Sequence, residues 1–171
     1  MPRLFVLRHA KAAAHAPTAS GGDHDRPLAA AGRAVLPGVG RAIVEQLDDR
    51  PLDLVLCSTA TRARETVAVG ASTEPAVAAA ELQPETRLYL AGPDRLRKRL
   101  AKLPDDVETV LLCAHNPGLH QLVLMLIGAD AAPERLRYDL PTAGLVVVDL
   151  AGSWTSIGAG AAVLTAFVSP A

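Results

Sequence analysis

Short apolar runs alternate with longer amphipathic stretches along almost the whole chain, and that alternation restricts the fold more than any other feature. Residues 4–7, 52–57 and 107–113 are rich in Leu and Val. Runs of this kind mark strands buried on both faces, which belong to parallel sheets. Between them, residues 28–47 repeat apolar side chains every three or four positions, predicting a helix with a kink or break at Pro37 and Gly38. Residues 60–69 predict a second helix, with Ser58 or Thr59 as its cap. Residues 94–102 read as a basic helix, and Pro117 fits the first position of a helix ending at Gly128. A short strand is expected at 77–80, then a loop around Pro84. Residues 145–150 and 163–168 are expected as two last strands joined by a Gly-rich turn. The segment 10–27, punctuated by Pro17, Gly21, Gly22 and Pro27, is expected as a loop. Together these elements predict one α/β domain over residues 1–171, with a mostly parallel central sheet flanked by helices on both faces.

Composition removes several classes of function. Half of the 171 residues are hydrophobic but only 3% are aromatic, so Ala, Val and Leu must fill the core. A chain of this size needs no disulfide or metal to hold such a core together. Seventeen Lys and Arg against 18 Asp and Glu leave no broad basic field, and nucleic acid is not expected as a partner. The cluster Arg95, Arg97, Lys98 and Arg99 reads as a solvated helix face. Cys57 and Cys113 each end an apolar run outside any CxxC pattern, and they read as small buried hydrophobes. Apolar runs fall well short of the roughly 18 residues of a membrane helix. The N-terminus lacks a signal-peptide pattern, so a cytoplasmic location without a membrane partner is expected.

Chemistry concentrates where the strands end. Arg8-His9 follows the first run, Ser58 to Arg62 the second, and His115-Asn116 the run ending at Cys113. If those strands are parallel, their ends share one edge of the sheet, the usual ligand crevice of an open α/β fold. A histidine can take a phosphoryl group and split one difficult transfer into two easier ones. Guanidinium groups supply paired hydrogen bonds to phosphoryl oxygens. A helix starting just after His115 adds amide donors and a favourable dipole. His115 and His120 lie five residues apart and do not share a face as an i,i+4 metal pair would. Neither a metal nor another cofactor is expected.

These residues also resemble a known family. Leu7-Arg8-His9-Ala10 is similar to the Arg-His-Gly motif of the histidine phosphatase superfamily, with Ala10 where Gly is usual. Ser58 to Thr66 resembles its second motif, whose arginine binds phosphate, and His115 matches its second histidine. Asp25-Arg26-Pro27-Leu28 with Gly32 resembles the segment opening the first long helix. Glu81-Leu82-Gln83-Pro84 is similar to a segment of the short, SixA-type phosphohistidine phosphatases. The chain is also too short for the insertions of phosphoglycerate mutases. The resemblance implies a phosphoglycerate mutase-like fold and a metal-independent phosphatase. In it His9 becomes phosphorylated while Arg8, Arg62 and protonated His115 hold the transferred group. Asn116 and Arg26 are further candidates for binding substrate, although Arg26 could equally anchor its own loop. The substrate implied is a phosphorylated protein such as a histidine phosphotransfer domain of a two-component relay.

The leaving group separates the remaining readings. An alkoxide leaving a phosphate ester benefits from a general acid, for which Glu81 and Glu85 are the candidates. An imidazole is far less basic, so a phosphohistidine substrate demands less of such an acid. A broad small-molecule phosphomonoesterase and a non-catalytic module binding phosphorylated ligands are the alternatives. Taken singly, Arg62 could pair with Glu65 or Glu45, and His115 could be a core histidine. His15, His24 and His120 are expected in surface or packing roles. Lys11 could tune the site or be merely solvated.

Overall fold

The computed structural model describes residues 1–14 and 22–170. Strands Arg3–Arg8 (β1), Leu54–Ser58 (β2), Glu81–Glu85 (β3), Thr109–Ala114 (β4), Leu145–Leu150 (β5) and Ala162–Val168 (β6) form one sheet. Their order is β3-β2-β4-β1-β5-β6. The first four run parallel, and β5 and β6 complete the sheet antiparallel. Helices occupy Ala30–Glu45 (α1), Thr61–Thr73 (α2), Pro75–Ala78 (α3), Pro93–Leu100 (α4), Gly118–Ile127 (α5) and Glu134–Tyr138 (α6). The mostly parallel α/β sheet expected from the sequence is what the chain forms.

Strand periodicity divides the core in two. Leu4 and Val6 of β1 join Leu96, Leu100, Leu119 and Leu122 on one face, beneath α4 and α5. Phe5 and Leu7 join Leu36, Ile43, Ala63 and Val67 on the other, beneath α1 and α2. Each side chain alternates to the opposite face, so an unbroken apolar run is what a strand covered on both sides requires. Cys57 and Cys113 lie buried and unbridged, opposite one another in register. A hydrogen bond with Cys57, and then burial, push the Cys113 thiol up.

Several local expectations are corrected. α1 continues through Pro37 without a break. Residues 77–80 do not form a strand: Pro75 opens the short helix α3 there, at a position where its missing N–H costs nothing. The strand instead begins at Glu81 and contains Pro84, which an edge strand tolerates because only one side pairs. Neither Ser58 nor Thr59 caps α2, whose N-cap is Ala60. The link from β5 to β6 is more than a Gly-rich turn. It buries Trp154, whose indole donates to the Val107 carbonyl at 2.6 Å. Ala12 bridges to Leu28 across the first loop, while His15, Pro17 and Gly21 lie outside the described residues. No described helix is long and apolar enough to cross a membrane.

Register places the chemistry. Arg8 pairs with Ala114, and Cys57 with Cys113, so β1, β2 and β4 end level. His9 and His115 are therefore the next residues on two adjacent strands, and the His9 amide donates to the Ala114 carbonyl at 3.2 Å. Two glycines permit close approaches around this edge. A Cβ at Gly32 would collide with the Lys11 carbonyl, and one at Gly118 with the Ala91 carbonyl. The first draws α1 against the chain leaving His9. The second draws α5 against the turn after β3.

Candidate active site

His9 has a defined tautomer. Its Nδ1 lies 2.8 Å from the Ala10 carbonyl, an acceptor only, so Nδ1 carries the proton and donates it. Nε2 then holds the lone pair, and the Arg62 Nε–H donates to it at 3.2 Å. Burial lowers the His9 pKa to about 4, against the hydrogen bond to Ala10, and the charges of Arg62, Arg8 and Arg26 lower it further. At neutral pH the ring is uncharged with Nε2 basic, the state a nucleophile needs. Ala10 is fully buried, and its amide donates to Thr66 Oγ1 at 3.0 Å while Thr66 donates to the Arg62 carbonyl at 2.7 Å. Thr66 thus ties the His9 turn to the helix carrying Arg62.

The His115 ring centroid lies 5.0 Å from that of His9, tilted by 55°. Burial, followed by the charges of His9 and Arg62, lowers its pKa to about 3. These surroundings hold the His115 ring neutral at pH 7, whereas the protonated ring expected from the sequence is one beside a bound phosphoryl group. Nε2 lies 2.8 Å from Ser58 Oγ, and the buried Nδ1 has no partner among the described residues. When the Ser58 hydroxyl donates to Nε2, Nδ1 carries the ring proton and remains a donor without an acceptor.

The arginines differ in how completely they are satisfied. Arg62 is only 4% exposed. Its Nη1 donates to the Asp23 carbonyl at 2.6 Å and its Nη2 to Asp23 Oδ2 at 2.9 Å, so neither Glu65 nor Glu45 is its partner. Arg8 donates from Nη1 to the Leu140 carbonyl at 2.7 Å and reaches Asp139 only at 3.5 Å. Its Nε is buried without a partner among the described residues, and burial lowers its pKa. Arg26 anchors its own loop through the Ala13 carbonyl, at 3.0 and 2.9 Å, and bonds Asp23 Oδ1 at 2.8 Å. Asn116 holds the segment entering β5, donating to Leu140 at 2.9 Å and Asp139 at 3.1 Å. Its Oδ1 is buried without a partner among the described residues.

A rim of three residues closes round this floor, and sequence reasoning missed it. Asp23 accepts from Tyr89 Oη at 2.7 Å as well as from Arg62 and Arg26. Those bonds, that of Tyr89 first, hold its carboxyl far below the usual range, so it stays ionised. The bond to Asp23 in turn raises the Tyr89 pKa. Tyr89 stands edge-on to His115 at 5.3 Å and to His24 at 4.9 Å. His24, expected in a bland role, bonds Thr59 Oγ1 at 3.0 Å across the mouth of the site. The available signal was Asp23 three residues before Arg26. Nothing local singles out Tyr89.

The remaining candidates lie elsewhere. Glu85 accepts from Arg99 Nε at 2.6 Å, and Glu81 accepts from the Gln83 side chain at 2.7 Å. His120 packs through a 2.6 Å contact with the Leu136 carbonyl. Lys11 is exposed. Among the described residues no group of three or more His, Cys, Asp and Glu side chains could hold a metal ion.

Two histidines and two arginines at the level ends of parallel strands make an anion site with a nucleophile on its floor. The sequence pattern of the histidine phosphatase superfamily (branch 1) matches residues 4–88, which include His9, Arg26 and Arg62. The chain belongs to that superfamily and is a phosphatase, a hydrolase of phosphorylated substrates. An uncharacterized protein of Mycobacterium tuberculosis is 38% identical over 168 residues, covering 96% of this chain and 99% of that one. The candidate phosphohistidine phosphatase SixA from Agrobacterium tumefaciens is 30% identical over 99% of both chains, with a TM-score of 0.82. Its counterpart from Nakamurella multipartitia also has a TM-score of 0.82, at 27% identity over 99% of this chain and 96% of that one.

Proposed function

We propose that this chain is a metal-independent phosphohistidine phosphatase acting on phosphorylated proteins, with His9 as nucleophile. The observation that carries this reading is the state of the carboxylates. Among the described residues, Asp23 is the carboxylate that reaches Arg62, and three donors keep it ionised. Glu81 and Glu85 are turned to Gln83 and Arg99. None of these three carboxyls is placed as an acid to protonate a departing alkoxide. A phosphoimidazole takes its proton from solvent on the other ring nitrogen and leaves as neutral imidazole.

His9 Nε2 attacks phosphorus in line, forming an N–P bond as the substrate's own P–N bond breaks. The proton stays on Nδ1, which keeps donating it to the Ala10 carbonyl and so holds the ring's orientation. Arg62 turns its Nε–H from Nε2 to a phosphoryl oxygen. Arg8 supplies its uncommitted Nε–H, and His115 the donor on Nδ1. Such donors act most strongly where they are preset and shielded from water. Water then attacks phosphorus, the P–Nε2 bond breaks and the lone pair returns to Nε2, and the water's extra proton passes to a phosphate oxygen or to solvent, releasing inorganic phosphate.

The test is hydrolysis of a phosphohistidine-bearing protein and an aryl phosphate, side by side in chelator, by wild type and His9→Ala. Wild type is expected to clear phosphohistidine much faster than the aryl ester. His9→Ala should lose at least about 10⁴-fold, the scale for removing a covalent nucleophile. Loss of turnover in chelator would overturn metal independence. Equal rates on both substrates would favour a general phosphomonoesterase.

A further inference from the structure

The turn that carries Tyr89 into the site also borders a second, strongly charged feature. A groove of about 380 Å³ runs between the end of β3 and the outer side of α4. Arg87, Arg95, Lys98, Arg99 and Lys102 line it, with Glu85 and Asp94 as its acids and Leu88 at its base. Glu85 is taken by Arg99 at 2.6 Å, and Asp94 lies 3.4 Å from Lys98 and from Arg97. Arg87, Arg95 and Lys102 are exposed and make no ion pair among the described residues. The charge is local, because the chain as a whole carries a net −1.

The groove begins at the rim of the site. Leu88 precedes Tyr89 directly, and Arg87 lies one residue before that, within about 7.6 Å of the Tyr89 backbone. Glu85 stands in register with Ser58, whose hydroxyl touches His115. From there the groove follows α4, eight residues and about 12 Å long, away from His9. A small phosphorylated molecule held at His9 cannot reach along that length, but the surface around a phosphohistidine on a protein can.

We infer that this groove docks the phosphorylated protein through an acidic surface flanking its phosphohistidine. The inference rests on the function proposed above and names the partner's chemistry. Unpaired cations beside an anion site call for a partner whose negative charge extends beyond the phosphoryl group. Among the described residues no aromatic side chain lines the groove, so it lacks the stacking surface that single-stranded nucleic acid uses. Arg95 and Lys98 are exposed, as the solvated helix face expected from the sequence requires, while Arg97 and Arg99 are half-buried; the proposal gives that face a partner.

The test compares three substrates: a phosphohistidine peptide with an acidic run, the same peptide with glutamine for each glutamate, and phosphoimidazole. The enzymes are wild type and the triple variant Arg95→Gln, Lys98→Gln, Lys102→Gln, all at exposed positions outside the catalytic machinery. Wild type should prefer the acidic peptide by about tenfold in kcat/KM at low salt, and added salt should erase the preference. The triple variant should show no preference, with phosphoimidazole turnover unchanged. Equal rates on the two peptides, or a preference that survives in the variant, overturns the proposal. Binding of the unphosphorylated acidic peptide to His9→Ala, followed by fluorescence anisotropy, reads the groove without turnover. It therefore decides the proposal even if phosphoimidazole is not hydrolysed and the phosphatase reading fails. A single-stranded oligonucleotide that competes as well as the acidic peptide would overturn the partner class.

Discussion

β1 begins and ends in arginine, and the two ends could hardly be treated more differently. Arg3, 7% exposed, donates from Nε and Nη2 to both oxygens of Asp149, at 2.7 and 2.8 Å. Its Nη1 adds Asp48 at 2.7 Å and the Gln46 carbonyl at 2.6 Å. The bond to Asp149 raises its pKa against the cost of burial. Among the described residues Arg8, five residues on, has one carbonyl, one long ion pair and an orphaned Nε, and burial lowers its pKa. A guanidinium completed by its own protein fastens structure: Arg3 joins β1 to β5 and to the turn after α1. A half-buried guanidinium left short of acceptors costs stability, and such a cost persists where a ligand completes the set. The C-terminal edge of the sheet is therefore the edge built for an anion.

The sharpest way to break this comparison is to truncate each arginine in turn. Arg8→Ala should lower kcat/KM on phosphohistidine by about 10²–10³-fold, the scale for removing one preset donor from a transition state. Its melting temperature should hold or rise, because a half-buried charge with a buried, unsatisfied Nε among the described residues has gone. Arg3→Ala should do the reverse. Its loss of stability should be about 3 kcal/mol, the low end for breaking a buried ion pair, since Asp48 is 68% exposed. For a chain of this size that is roughly a 6–12 °C fall in Tm. Turnover per folded molecule at low temperature should stay near wild type. If Arg8→Ala melts far below wild type while Arg3→Ala loses activity, the assignment of the two edges is inverted.

The same contrast explains what could be read from the sequence. Residues 4–7 and 107–113 announce themselves because a strand covered on both faces must be apolar throughout, and the chemistry then follows at once as Arg8-His9 and His115. β3 could not be seen, because an edge strand with exposed Leu82 and an internal Pro84 lacks that pattern. Residues 77–80 look strand-like by composition, yet Pro75 had already committed the chain to a helical turn. The rim was illegible for another reason. Asp23 and Tyr89 meet from 66 residues apart, and neither belongs to a periodic segment. The state of His115 also needed three dimensions, since its depressed pKa comes from burial and from His9 and Arg62.

Electrostatics at the incomplete edge give a pH test. The folded pKa of His9 is about 4, below the ordinary value, so protonation there removes the Nε2 lone pair only under quite acid conditions. After correction for ionisation of the substrate, kcat/KM should fall as pH drops through about 4, rather than near the usual 6.5. Arg62→Gln should move that limb upward, because the Arg62 charge helps lower the His9 pKa. Stability has the matching sign. Between about 6.5 and about 4 the unfolded chain binds protons at His9 and His115 that the folded chain refuses, so stability falls as pH falls through that window. An acid limb fixed near 6.5 in both proteins would mean that His9 is not desolvated as its surroundings indicate.

Asp23 lies between the two extremes, and the smallest expected effect belongs to it. It completes Arg62 much as Asp149 completes Arg3, but its side chain is 48% exposed and sits on the single 3-10 turn Asp23–Asp25 rather than a strand. Being ionised, it competes with an incoming phosphoryl dianion for the donors of Arg62 and Arg26, and it repels that dianion as well. Asp23→Asn keeps the shape and removes the charge. Inorganic phosphate should then inhibit more strongly, by about three- to tenfold, the range of roughly 1 kcal/mol for a half-exposed charge. kcat should change less than the inhibition constant. If phosphate instead inhibits more weakly and kcat drops with it, Asp23 holds Arg62 in its working position, and Arg62 belongs with Arg3 among the arginines completed by the fold.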